Sequence, residues 1–402
     1  MAEVPPRQRS TGVEARRIRL RLGVIFVGAA LLAACGGEDL ALTTTTTIAV
    51  SLPTTEPPAT SSSVPTELPT TVQPGAPDNW TAFDSIIVSE TLGQGSDDVQ
   101  VAVVRDGNLV HSFHQSSMSS LSPVDDRSRF RIASISKLVT AYAVMRMVDE
   151  GRIDLEETPL PEAADRLGIT LADSRMKSVT VRELLSHTSG IDSSGDVFFD
   201  SPGTSSDDAL RTILSNQLVT VPGEKCQIQQ CQFRLLGRLI GWRTGRSWAD
   251  ATRSLILGPL GLHDWIVGST SSHEYRDAQH RSKEGRNYME LLEASGAWLA
   301  SASDVARLVD ALSRGELLRD PALVDLMTTP SSAGPDDEDW DYGFGVRLFA
   351  NGSWGHSGTL ESAHDMVVKL GDGTVVAVFV NGEEPSDTDS LLDLILRALA
   401  DH

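Results

Sequence analysis

The sequence predicts an α/β chain of the α+β kind: one antiparallel sheet built from strands at both chain ends, flanking helices, and a helical lobe inserted in the middle. Three observations predict it. Strand pairs joined by tight turns stand at 101–110 and again at 364–380. Helix-periodic stretches fill the interval. Neither an internal repeat nor a glycine-rich phosphate loop interrupts that plan.

Each element has a local reason. Residues 101–110 read as strand, Asp106-Gly107 turn and strand. Ile135, Leu138, Tyr142 and Met145 recur at three- and four-residue steps, which predicts a helix opening near Ser134 and stopping at Gly151. Thr180 and Glu183 have capping-box spacing for a short helix, followed by a turn that ends at Gly190. Pro222-Gly223 opens another turn, and residues 233–242 read as helix. A further helical segment is broken at Pro259 and Gly261. Ser303 is the expected N-cap of the next helix. Residues 342–349 return to strand, 364–370 and 374–380 form a hairpin around Gly371-Asp372-Gly373, and 386–400 close as a helix with Leu391, Leu394, Ile395 and Leu399 apolar.

The chemistry-bearing stretch is Ser134-Ile135-Ser136-Lys137. Positions three apart share a helix face, so the hydroxyl and the amine can touch. A first-turn serine lies where free N–H groups favour a developing anion. A partly buried lysine can serve as its base. An ordinary helix N-cap explains Ser134 equally well. The same spacing recurs at Ser174 and Lys177, but no apolar helical run begins there. Context therefore selects Ser134. His187 invites a role as a base, yet no nucleophile is near it in sequence, and bracing the Gly190 turn is its expected role.

Composition narrows the function. The 402 residues are 40% hydrophobic, enough to bury a large core. The net charge of −21 argues against nucleic acid, whose phosphates need a basic surface. The acidic run 336–339 beside Pro335 reads as a solvated loop.

Residues 1–34 carry six arginines against two glutamates, then an apolar stretch at 22–32 too short to span a bilayer comfortably. That pattern reads as a signal peptide. Leu32-Ala33-Ala34-Cys35 resembles the lipobox of bacterial lipoproteins. The resemblance implies cleavage before Cys35, a lipid on its sulfur, and anchoring outside the bacterial cytoplasmic membrane, in the cell envelope. Residues 35–77, rich in Thr, Pro and Ser, then form an extended tether, and 78–402 form the globular domain.

Several stretches in series resemble one family, the serine β-lactamase-related hydrolases, in the branch of class C β-lactamases, D-alanyl-D-alanine carboxypeptidases and esterases. They are residues 130–137, 184–190, 222–225, 259–262, 342–345 and 355–358. The resemblance implies a β-lactamase/transpeptidase-like fold and an acyl-serine enzyme. Ser134 would be the nucleophile and Lys137 its proton partner. His356 and Gly358 match the third motif, whose basic residue binds a substrate carboxylate or tunes the site. Backbone N–H groups of Ser134 and Thr359 would form the oxyanion hole. No metal or organic cofactor is implied.

The family's Tyr-x-Asn motif falls on Ile228 and Gln230. Gln230 keeps an amide that can hydrogen-bond. Ile228 cannot exchange protons, a function worth roughly two to four powers of ten in rate. Cys226 and Cys231 flank the change, and in an exported chain they are expected to form a disulfide, with two buried thiols as the alternative. Two functions follow: a lipid-anchored serine hydrolase of β-lactam, cell-wall peptide or ester substrates, impaired by Ile228, or a catalytically degenerate binding protein for peptidoglycan peptide or a related envelope ligand.

Overall fold

The computed structural model describes residues 80–192, 203–279, 287–331, 340–382 and 390–400. The expected leader, the tether with Cys35, the acidic run 336–339 and the start of the last helix at 386–389 lie outside the described residues.

Helix α1 (Thr81–Glu90) precedes the hairpin of β1 (Ser96–Arg105) and β2 (Asn108–Ser116). The turn between them places Asp106 and Gly107 at φ +50° and +80°, the left-handed pair that a two-residue hairpin needs. The short β3 (Phe130–Arg131) leads into α2 (Ile135–Asp149). The inserted lobe follows as α3 (Leu160–Leu167), α4 (Val181–Leu185), α5 (Ser206–Leu214), α6 (Gln230–Thr244) and α7 (Trp248–Thr252). Next come β4 (Ile266–Val267), α8 (Tyr288–Leu292), β5 (Trp298–Ala300), α9 (Ala302–Ser313) and α10 (Ala322–Met327). The strands β6 (Trp340–Tyr342), β7 (Arg347–Phe349), β8 (Trp354–Leu360), β9 (Ala363–Lys369) and β10 (Val375–Gly382) then lead to α11 (Ser390–Ala400).

The main sheet has seven strands in the order β2-β1-β10-β9-β8-β7-β6, so the two chain ends meet at the β1–β10 pair, as the sequence predicts. A second, three-stranded sheet runs β3-β5-β4. Alternation along β10 explains the layering. Val376, Val378 and Val380 face one side, against Phe83 and Ile87 of α1 and Leu391 and Ile395 of α11. Val375, Ala377 and Phe379 face the other, in the larger core with α2 and α9. Both faces are covered, so β10 reads as a continuous Val-rich run.

Helix α2 differs from the expected single stripe. Twelve of its residues, including Ser136, Lys137 and Thr140, are buried. A helix surrounded on all sides shows little amphipathicity. This central burial is what desolvates Lys137.

Three further points bear on the sequence reading. The capping box of Thr180 and Glu183 forms as expected. Ser301, not Ser303, caps α9, because it sits in the extended conformation that lets its hydroxyl accept from Asp304 N–H. Residues 342–349 hold the end of β6 and all of β7. Gly343 N–H bonds Val346 carbonyl between them, and Gly345 has φ +71°. A Cβ at Gly345 would lie 2.5 Å from Ala141 Cβ and 3.0 Å from Lys137 carbonyl oxygen. Only glycine lets that turn press on α2.

The expected Cys226–Cys231 disulfide is corrected: both are buried thiols, not a bridge. They are held in different surroundings. Cys226 packs with Trp340 and Tyr342 under the sheet edge. Cys231 sits in the first turn of α6 and joins the main core.

Candidate active site

The site starts with backbone strain. Between β3 and α2 the chain turns through Ala133 at φ +46°, an uncommon conformation for a residue with a Cβ. Gly358 of β8 presses on this turn: a Cβ there would lie 2.4 Å from Ile132 carbonyl oxygen. Ser134 occupies the N-cap position of α2, but with helical angles and no side-chain cap bond. Its half-buried hydroxyl turns to Lys137 instead. The N-cap explanation therefore accounts for where Ser134 sits and not for what its side chain does.

Lys137 is fully buried. Its Nζ lies 2.7 Å from Ser134 Oγ, 2.7 Å from Gln230 Oε1 and 3.3 Å from Ser295 carbonyl oxygen. Burial, then the charge of Arg347, lowers its pKa from 10.5 to about 7. The ammonium satisfies all three donors with these partners. The neutral amine can keep the Gln230 and Ser295 bonds and turn its lone pair to the Ser134 hydroxyl. That is the hydrogen bonding a general base for Ser134 needs. By contrast Ser174 and Lys177 are both exposed, on a 3₁₀ turn capped by Asp173.

Gln230 opens α6, and its amide reaches Lys137, so the amide half of the altered motif is inside the site. Ile228 is half-buried and packs on Cys226, Trp340 and Tyr342, bringing no hydroxyl. The loop carrying both is pinned by His187. The His187 carbonyl accepts Gln227 N–H at 2.8 Å, and its ring packs at a tilt between Phe233 and Tyr342, with centroids 5.1 and 5.0 Å away. Burial, then the charge of Lys137, holds this imidazole neutral, well below its usual pKa. Bracing is thus the role the geometry gives His187.

His356, Gly358 and Thr359 follow one another on β8. Gly358 abuts Ile132 and Ala133, so Thr359, next along the strand, borders the Ser134 turn. His356 is buried. Burial, then the charges of Arg347 and Lys137, depresses its pKa well below the usual histidine value. This favours the neutral ring. Its Nε2 lies 3.1 Å from Tyr342 Oη and its Nδ1 lies 2.6 Å from Ser357 carbonyl oxygen.

The structure thus brings Ser134, Lys137 and Gln230 into contact, with Gly358 against their turn. The sequence reading missed three contributors. Ser295 acts through its carbonyl, which no side-chain pattern reveals. Tyr342 was visible only as part of a fold-defining Tyr-Gly-Phe-Gly stretch. Arg347 carries no motif at all.

Comparison with known proteins bears on the family and the fold. A family model described as Beta-lactamase matches residues 84–400. Penicillin-binding protein 4 of Amycolatopsis lactamdurans is 33% identical over 198 residues, 45% of this chain and 49% of that protein. Esterase EstB of Burkholderia gladioli is 31% identical over 198 residues, 44% of this chain and 49% of that protein. The chain spans about half the length of these curated relatives. Among solved structures, the octameric penicillin-binding protein homologue from Pyrococcus abyssi has a TM-score of 0.68 at 24% identity, covering 79% of this chain and 78% of its own. The D-amino acid amidase from Ochrobactrum anthropi SV3, complexed with D-phenylalanine, has a TM-score of 0.67 at 20% identity, covering 80% of this chain and 99% of its own. At these identities the two structures establish the fold alone.

Proposed function

The chain belongs to the β-lactamase family, and on that premise we propose that it is a serine hydrolase working through an acyl-Ser134 intermediate. The observation that carries this is the buried Lys137 amine, 2.7 Å from Ser134 Oγ and poised near pKa 7. The neutral amine takes the hydroxyl proton as Oγ attacks the acyl carbonyl. Backbone N–H groups of Ser134 and Thr359 receive the developing oxyanion; one such donor is worth roughly 10²–10³ in rate. The Lys137 ammonium returns its proton to the leaving group, and the amine then activates water for deacylation.

Ile228 makes the second half slow. The family's phenol is absent there, so Lys137 alone must supply both leaving-group protonation and water activation. Substrates belong to the class represented by the relatives' names: β-lactams, D-amino acid amides and peptides, and esters. Ile228 also favours a second reading, an envelope protein that binds such a ligand without turning it over.

The test is intact mass after incubation with an activated ester or a penicillin. An adduct of the acyl mass, long-lived and absent in Ser134→Ala, is expected. No adduct with any activated acyl probe, in folded protein, supports the binding reading. Fast turnover would show that another group does the work of the missing phenol.

The same proposal places the enzyme on the outer side of the cytoplasmic membrane, held by lipid on Cys35 and reaching out on the 35–77 tether. Cys35→Ser should then accumulate unprocessed or be released from membranes. A variant still processed and membrane-bound defeats the anchor.

A further inference from the structure

Glu293 follows α8 and opens the turn that carries Ser295. Its backbone stands at φ +45° and ψ −129°. These angles are close to the first central position of a type II′ turn, which glycine dominates. A residue with a Cβ is strained there and persists only where its surroundings over-determine it. The Glu293 carbonyl accepts from Gly296 N–H at 3.2 Å and from Ala297 N–H at 2.9 Å, which closes the turn. The next two carbonyls meet α2. Ala294 oxygen accepts from Thr140 Oγ1 at 2.7 Å, and Ser295 oxygen lies 3.3 Å from Lys137 Nζ.

Helix α6 supplies the surroundings. Arg238 Nη2 donates to Glu293 Oε1 at 3.0 Å and also pairs with Asp207 of α5 at 2.9 Å. Arg234, one turn earlier on the same face, is buried. Burial lowers its pKa, and among charged groups Glu293 opposes that most. Gln230, one turn earlier again, is the residue that bonds Lys137. Gly237 completes this face: a Cβ there would lie 2.4 Å from Ala294 Cβ. One face of α6 therefore reaches Lys137 twice, directly through Gln230 and indirectly through the turn at 293–295. Arg347 of β7 repels the Lys137 ammonium, and burial holds His187 and His356 well below their usual pKa. The carbonyl of Ser295 is thus an acceptor that the buried ammonium needs.

We infer that Glu293 is a positioning residue: bonded by Arg238 and drawn by Arg234, it holds a backbone shape that suits glycine, and so keeps the Ser295 carbonyl on Lys137 Nζ and the amine's lone pair on Ser134. This rests on the acyl-Ser134 reading above. The neutral amine has two hydrogens. With Gln230 and Ser295 taking both, the lone pair has one direction left. Without Ser295, an N–H can turn to Ser134 Oγ in its place, which slows proton abstraction. The ammonium also loses an acceptor, which moves its titration to lower pH.

The experiment is single-turnover acylation by p-nitrophenyl acetate from pH 5 to 9, with the full-length chain in detergent and thermal melts to confirm folding. Glu293→Gln keeps the side chain's size and removes its charge, so the turn should relax. Its plateau rate should fall about tenfold. Its pH midpoint should drop by about one unit, the worth of a hydrogen bond to a charged group. Glu293→Gly has no carboxylate but adopts the same angles without strain, and should recover most of both. An ion pair that merely braced the fold would give the opposite order, with glycine the worse. Arg238→Gln, at a partly exposed position, should lower the midpoint as Glu293→Gln does and have no further effect in the Glu293→Gly background. It carries the test if Glu293→Gln does not fold. A midpoint that stays or rises, or a Glu293→Gly no better than Glu293→Gln, overturns the inference while leaving acyl-Ser134 standing. No adduct on the unmodified protein removes both.

Discussion

Acylation of Ser134 should rise with pH through about 7 and level off above it, tracking loss of the Lys137 proton. Below that pH the amine is an ammonium and cannot accept from Ser134, so the rate should fall about tenfold per pH unit. Lys137→Met should lose roughly two to four powers of ten at every pH, the usual contribution of a positioned base. Lys137→Arg should do no better, since a guanidinium stays charged. The measurement is the single-turnover rate of adduct formation with a neutral activated ester from pH 5 to 9. An unchanged profile in Lys137→Met would remove Lys137 from the mechanism. The same depressed pKa is a stability cost. The unfolded chain holds that proton up to about pH 10.5, the folded one only to about 7, so stability falls as pH drops across that window. Lys137→Met should therefore melt higher than the unmodified protein while being inactive, as expected where a site is held in a strained state.

What the sequence disclosed is what short-range pattern can carry. The β1–β2 hairpin rests on Asp106-Gly107, the cap of α4 on Thr180 and Glu183, and the pairing of Ser134 with Lys137 on one helical step. Each is decided within a few residues. Gln230 was legible as well, because its distance from Pro222-Gly223 fixes its place on the loop. What stayed hidden depends on distant segments. Ser295 reaches Lys137 across 158 positions. Tyr342 and His356 lie on β6 and β8, separated by β7 in the sheet, and only their facing sides bring hydroxyl to imidazole. The charge state of His356 follows from that burial, so a motif position that reads as basic holds a neutral ring. The cysteines mislead for a related reason. Five positions suffice to suggest a bridge, but α6 begins between them and carries Cys231 into a different core.

Gly358→Ala should cost the site more than it costs the fold. A Cβ at this position would stand 2.4 Å from Ile132 carbonyl oxygen, 3.1 Å from its carbonyl carbon and 3.2 Å from Ala133 Cβ. The first two are backbone atoms, with no flexible side-chain end to swing aside. The turn they belong to is already strained at Ala133, φ +46°, and has little freedom to yield. Relief must come from β8 moving away from Ser134. Overpacking of this kind costs roughly 1–3 kcal/mol, which a domain of this size can survive. Thr359, one residue on, moves with the strand and away from where the proposed mechanism forms the oxyanion. A misplacement near 1 Å costs on the order of 10²-fold in rate. Gly371→Ala is the control: nothing lies within 4 Å of its Cβ, in the turn between β9 and β10. Thermal melts should show Gly358→Ala folded with a modestly lowered midpoint and Gly371→Ala unchanged. Adduct formation at Ser134 should fall about a hundredfold in the first and stay the same in the second. If Gly358→Ala acylates at the full rate, the contact between β8 and the Ile132–Ala133 turn is not what positions Thr359 for the reaction.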